Sequence, residues 1–188
     1  SQRAGVQQSF ADYMKWGGFP ELLLFRNKRN WLNGLYEKIL LGDIIQRNKV
    51  KNEMALRLTM KRLAENVMQP ISYNRVANLI RSTGTNIAVS SVSDYVRYAQ
   101  EACMLFSLEN YASKFVEKET VKKHYFVDNG LLSIFLFNGD TALLENLCAI
   151  HLRKRYGEEL CYYNKNVEVD FLIAEEGYAI QASYSIYG

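Results

Sequence analysis

Apolar positions recur at helical spacing through the first fifty residues, and glycine and proline punctuate them. An opening helical pattern stops at Gly17-Gly18-Phe19-Pro20, where paired glycines and a proline withdraw the conformational preference and the N–H that a helix needs. A second amphipathic helix starts near Trp31, with Trp31, Leu35, Ile39, Ile44 and Ile45 on its apolar side and Asp43 beside them. From Lys51 to Gln69 the stripe Arg57, Lys61, Arg62 and Glu65 opposes Met54, Leu58 and Val67, and Pro70 ends the element. Ser72 is placed to cap a short helix that buries Tyr73, Val76, Ala77 and Ile80. After the turn Ser82-Thr83-Gly84-Thr85, Ser91 and Asp94 have capping-box spacing for a third helix, with Val92, Tyr95, Val96, Ala99 and Cys103 along one face.

The period then drops to two. Met104 to Tyr111 and Val121 to Val127 are short aromatic and branched runs that read as strands, separated by the charged stretch Lys114 to Lys123. Three helices with a glycine turn, followed by a hairpin, give a winged helix over 51–127. Asp128-Asn129-Gly130 predicts a turn, Leu131 to Phe137 is apolar, and Asn138-Gly139-Asp140 turns again. A helix from Thr141 to Tyr156 follows, with Leu144, Leu147, Cys148, His151 and Leu152 on one face and Glu145 at its edge. The tail predicts strands at Leu160 to Tyr163, Val167 to Ile173 and Tyr178 to Ile186, with a turn at Glu175-Glu176-Gly177. The expected fold is thus α/β (α+β) in three parts: helices over 1–50, a winged helix over 51–127, and an α/β module over 128–188.

Composition sharpens this picture in two respects. The chain of 188 residues is 48% hydrophobic, enough for one domain or two small ones, yet no apolar run approaches the roughly 20 residues that cross a bilayer. With no secretion signal at its start, the expectation is a cytoplasmic protein without a membrane partner. Cys103, Cys148 and Cys161 are odd in number, lack CxxC spacing and sit among apolar neighbours, which predicts reduced core thiols and no zinc site.

The net charge of +3 is unevenly spread. Lys and Arg number seven against four acids in residues 1–48, twelve against seven in 49–125, and four against nine in 126–188. A basic middle can meet phosphate backbones, whereas an acidic end repels them unless its carboxylates hold metal ions.

The chemistry-bearing pattern lies in that acidic end. Side chains two apart on a strand share a face, so Glu168 and Asp170 point together, as do Gln181 and Ser183 on the next strand. With Glu145 from the preceding helix, these oxygens suit Mg²⁺-assisted phosphodiester hydrolysis, with Glu168 and Asp170 as metal ligands. No Gly-rich loop followed by Lys and Ser or Thr is present, so hydrolysis of ATP by this chain alone is not expected. The outward positions of the third helix are Ser93, Asp94, Arg97, Tyr98, Gln100 and Glu101, with one cation among them, which disfavours sequence-specific base reading. Backbone contact with DNA would fall to Arg97 and to Lys114, Lys118, Lys122 and Lys123 of the wing, although Glu117 and Glu119 equally suit a solvated, salt-bridged hairpin. His124 and His151 have no partners at metal-ligand or triad spacing.

The runs Leu144-Glu145-Asn146, Glu168-Val169-Asp170-Phe171 and Ile180-Gln181-Ala182-Ser183-Tyr184 resemble the restriction-endonuclease-like tail behind the P-loop domain of bacterial and archaeal AAA-type ATPases. Gly17-Gly18-Phe19-Pro20-Glu21, Gly42-Asp43-Ile44 and Tyr125-Phe126-Val127-Asp128-Asn129-Gly130-Leu131 stand in the same order as in that family. The resemblance implies a helical linker or lid region, a winged helix and a PD-(D/E)XK nuclease-like module, with ATP bound only by an AAA-type domain outside this chain. Active members of the nuclease superfamily carry an acid and a lysine two apart on the second strand, where this chain has Gln181 and Ser183. Loss of the acid removes a metal ligand and loss of the lysine removes the cation that orients the attacking water. Lys165 is a candidate substitute and equally an ordinary turn lysine. The module should therefore be degenerate, and truncated before its remaining strands, which predicts self-association. The reading that follows is a non-catalytic accessory region binding DNA or a protein partner; the alternatives are a metal-dependent DNA nuclease and a winged-helix DNA-binding regulator.

Overall fold

The computed structural model describes residues 2–183 and combines helices with two small antiparallel sheets, a mixed α/β fold. Helix α1 (Gln2–Trp16) ends at Gly17, whose φ of +80° is the left-handed conformation that closes a helix, and a single 3₁₀ turn (Pro20–Leu24) follows. Asn27 caps α2 (Lys28–Lys38) by accepting from the Asn30 N–H, and the helix runs on as a π-helical segment over Ile39–Gln46. The buried side chains are Leu32, Tyr36, Leu40 and Ile44, four apart throughout. The expected face, Trp31 with Leu35 and Ile39, is therefore displaced by one residue and only half buried. Wider π winding keeps a spacing of four on one side of the helix where ordinary α winding would rotate it away.

Helix α3 (Glu53–Glu65) is capped by Asn52 and tied to α2 by the Arg57 guanidinium, which donates to both oxygens of Glu37 at 2.6 and 2.7 Å. Its inner face is Ala55, Leu56, Thr59, Met60, Leu63 and Ala64; Met54 is exposed, contrary to the sequence expectation, because it precedes the first inward turn. Strand β1 (Ile71–Ser72) leads into α4 (Tyr73–Arg81), where the Ser72 hydroxyl accepts from the Arg75 N–H as expected, a cap worth about 1 kcal/mol. Helix α5 (Val89–Glu101) buries Val92, Tyr95, Val96 and Ala99. Its N-cap is Ala88, three residues before the anticipated cap, so Ser91 lies inside the helix and does not cap it.

Strands β2 (Leu105–Glu109) and β3 (Val121–Phe126) pair in register Leu105↔Phe126 to Glu109↔Lys122, and β1 adds to the other edge of β3, giving the order β1-β3-β2. The segment between them is a short helix α6 (Phe115–Thr120), where a plain hairpin tip was expected. Asp128 begins a helix, α7 (Asn129–Ser133), where a turn was expected, because its carboxylate accepts from the Gly130 N–H. Helix α8 (Asp140–Tyr156) buries Ala142, Leu143, Glu145, Asn146, Leu147, Ala149 and Ile150, a face wider than and rotated from the one the spacing suggested. His151 is exposed and meets the Tyr13 hydroxyl at 3.3 Å.

The second sheet is β4 (Leu160–Asn164), β5 (Glu168–Ile173) and β6 (Tyr178–Ile180), in that order. Of the strand expected over Tyr178 to Ile186, the part beyond Ile180 is not extended ladder up to Ser183, and the remainder lies outside the described residues. The two sheets meet at a bridge between Asn110 and Tyr162, and the Asn110 side chain donates to the Asn164 carbonyl and accepts from the Asn164 N–H. One continuous set of buried side chains runs from Met14 through Ile44, Leu63, Val96 and Phe126 to Phe171. The thiols are not in it: Cys103 is exposed at φ +52°, and Cys148 and Cys161 are half-buried.

Candidate functional site

Strand alternation along β3 sends Lys122 and His124 to the face covered by α4 and α5, and Lys123 and Tyr125 to the opposite face, toward the second sheet. The second face carries the site. Lys123 is fully buried. Its ammonium lies 3.0 Å from Oδ1 of Asp170, 3.3 Å from Oε1 of Glu145 and 3.6 Å from Oε1 of Glu168, and 5.8 Å from the centre of the Tyr162 ring. The three carboxylates singled out from the sequence therefore do converge, from α8 and from alternate positions of β5. At their point of convergence sits a lysine ammonium.

Glu145 and Asp170 are held by further donors. The Tyr125 hydroxyl donates to the same Glu145 oxygen at 2.8 Å, and the Ala182 N–H donates to Oδ2 of Asp170 at 3.0 Å. Gln181 reaches the site through its carboxamide oxygen, which accepts from the Asp170 N–H at 3.4 Å. Ser183 is exposed. Burial raises the Glu145 pKa, against the opposing pull of Lys123 and the Tyr125 hydroxyl. Burial, and then the Glu145 charge, pushes the Tyr125 phenol well above its ordinary range, so it stays a neutral donor. With all four groups ionised the cluster would carry a net charge of −2, and Glu168, whose side chain is 40% exposed, is the member that water still reaches.

Two corrections follow. Lys123 cannot contact DNA, because no part of its side chain is exposed. The cation that faces the three acids is Lys123, 47 residues upstream of Asp170, whereas Lys165 is an exposed turn residue. The only local signal was that Lys123 stands two residues before Tyr125, on the same strand face, in the strand Val121-Lys122-Lys123-His124-Tyr125-Phe126. Among the described residues, no group of three or more His, Cys, Asp or Glu is arranged to hold a metal ion.

Of the four remaining expected DNA contacts, two are ion-paired. Arg97 is bracketed on α5 by Asp94 at 3.1 Å and Glu101 at 3.0 Å and lies over the Tyr98 ring. Lys122 bonds Glu109 at 3.2 Å, Lys118 is half-buried, and Lys114 is exposed at the start of α6.

A second polar network adjoins the first through neighbouring residues of α8. Asn146 accepts from the Phe126 N–H at 2.8 Å and donates to the Phe126 carbonyl and to Oδ1 of Asn129, while Asn129 donates to the carbonyls of Met14 and Leu143. Asp128 joins Gly18 to Gly130 by accepting both N–H groups, at 2.8 and 2.7 Å. The motifs around Gly17, Asp128 and Glu145 are thus one connected structure.

The model of a family described as a domain of unknown function (DUF8612) matches residues 7–142, nearly three quarters of the chain. The chain belongs to that family. The DUF8612 match takes in Lys123, Tyr125 and the Asp128 network but ends before Glu145. Similar proteins include an uncharacterized protein of Methanocaldococcus jannaschii, 28% identical over 98% of this chain and 44% of the relative, and one of Haemophilus influenzae, 27% identical over 99% of this chain and 48% of the relative. The chain therefore spans less than half the length of the curated relatives it matches. No solved structure matches it. Among the described residues no helix is long and apolar enough to cross a membrane.

Proposed function

We propose that the chain is a non-catalytic accessory region of a longer AAA-type ATPase, made of a winged helix and a degenerate nuclease-like module that bind DNA or a protein partner. The observation that carries this reading is the Lys123 ammonium, 3.0 Å from Asp170 and 3.3 Å from Glu145, at the point where a nuclease would gather its Mg²⁺. A permanent cation satisfies the acids and gives no Lewis acid to polarise a phosphoryl oxygen or acidify a bound water, so the carboxylates are left a structural role. The order helix, β1, helix, helix, β2, short helix, β3 over 53–126 supports the winged-helix part, with α6 set into the wing. The length of the relatives supports a further domain, and it is there that ATP would bind.

Incubated with plasmid and single-stranded DNA in Mg²⁺ or Mn²⁺, the chain should leave both intact. Cleavage that is lost in Asp170→Ala would overturn the reading in favour of a metal-dependent nuclease. A phosphate-binding loop in the gene upstream of Ser1 is expected, and a gene without one would remove the ATPase context. For DNA, the pairing of Arg97 with two acids supports weak backbone contact through Lys114 and Lys118 over base reading. A gel shift that fades with salt and ignores sequence is the expected result.

A further inference from the structure

Large apolar side chains stand in water at one end of the molecule. Leu23 is 85% and Leu24 83% exposed on the 3₁₀ turn after α1, beside Phe25 at 46%, and α1 itself exposes Val6 and Phe10. The turn is not loose: Leu22, immediately before them in sequence, is 4% exposed, and the Phe19 and Phe25 rings both pack on Trp31. Between α1 and this turn lies a groove of about 290 Å³, lined by Tyr13, Trp16, Phe19, Pro20, Leu22 and Leu23. On the other side of Trp16 a larger hollow of about 1000 Å³ runs to Phe137, which is 97% exposed. Two adjacent exposed leucines fixed by a buried third are a surface shaped for contact, since covering them removes apolar area from water.

We infer that this face, formed by the outer side of α1 and the turn Pro20–Leu24, docks the remaining part of the longer protein. The inference rests on the reading of the chain as one region of a longer protein. The occupant is chosen on length: both curated relatives match this chain over 98% or more of its residues, yet carry more than half of their own length outside the match. Such a segment is tethered to this surface at high local concentration and needs only a modest apolar face to stay docked. Lys28 lines the groove beside Leu23, but so does Asp12, and Glu21 is exposed on the turn, so the docking surface on that segment should be mainly apolar with rim charges of both signs.

Hydrogen–deuterium exchange, read by mass spectrometry, compares the 188-residue chain with the product of its whole gene. Residues 6–25 should exchange at least tenfold more slowly in the longer protein, and Leu23→Lys with Leu24→Lys should restore fast exchange there. The same double variant should leave the melting temperature of the 188-residue chain unchanged, which separates lost docking from misfolding. Equal exchange in the two proteins, or a gene coding for nothing beyond these residues, would overturn the inference. So would a dimer of the 188-residue chain that the double variant dissolves, which assigns the face to a second copy. A longer protein that protects residues 6–25 but lacks a phosphate-binding loop would retain the docking face and remove only the ATPase reading.

Discussion

The ammonium of Lys123 and the carboxylate of Asp170 meet 3.0 Å apart with almost no exposure to water, joining a strand of the first sheet to a strand of the second. A buried pair of this kind adds little net stability when complete, because desolvation of both charges offsets their attraction, but it is costly to break. Replacing Lys123 by Met leaves Glu145 and Asp170 buried without a counter-charge. Urea unfolding at pH 7 should show a loss of about 3–5 kcal/mol, and adding Glu145→Gln and Asp170→Asn to the same chain should recover much of it. An unchanged midpoint in the single variant would show that the lysine is not the partner of these acids.

His124 makes stability depend on pH. Burial, with the nearby Lys122 charge, depresses its pKa to about 3, its Nδ1 meets Ser107 Oγ at 2.8 Å, and its Nε2 is buried without a partner. The unfolded chain takes up a proton near pH 6.5 and the folded chain does not until about 3, so the neutral ring's contribution is present above 6.5 and lost as pH falls toward 3. From this group alone the slope approaches about 1.4 kcal/mol per pH unit. The raised carboxyls of Asp128 and Glu145 act in the opposite direction, so the measurable quantity is the difference between the parent and His124→Asn across pH 7 to 4. That difference should narrow steadily on acidification.

Glycines of the resembling motifs should divide by contact. At Gly17, with φ +80°, an added Cβ would overlap the Asp128 carboxylate, and at Gly130 it would run into the Trp16 carbonyl. Gly42 has open space around it. Calorimetry should find Gly17→Ala and Gly130→Ala destabilised by about 1–3 kcal/mol or more, and Gly42→Ala neutral or slightly stabilised.

Asn146→Ala would strand the buried N–H and C=O of Phe126 together with Asn129. A loss of about 2–4 kcal/mol is expected from two or three unsatisfied groups, with faster amide exchange in β3 and α7. Asn146→Asp should do no better, since a carboxylate cannot donate to the Phe126 carbonyl.

Much of the local architecture was legible before any coordinates. Ser72 caps its helix, Gly17 ends one, and Glu168 and Asp170 share a strand face, because caps, left-handed turns and a period of two are properties of neighbouring residues. The choice of buried face was less legible where the helix passes into π winding, so that Leu32 and Tyr36 of α2 align with Leu40 and Ile44 of the π segment. Lys123 was misassigned altogether. A lysine in a basic stretch looks solvated until something buries it, and what buries it here lies 22 and 47 residues away in the chain. The sequence by itself determined most of the elements and the gathering of three acids; the tertiary structure alone decided which cation faces them, since charge pairing depends on distance through space and sequence order records only distance along the chain.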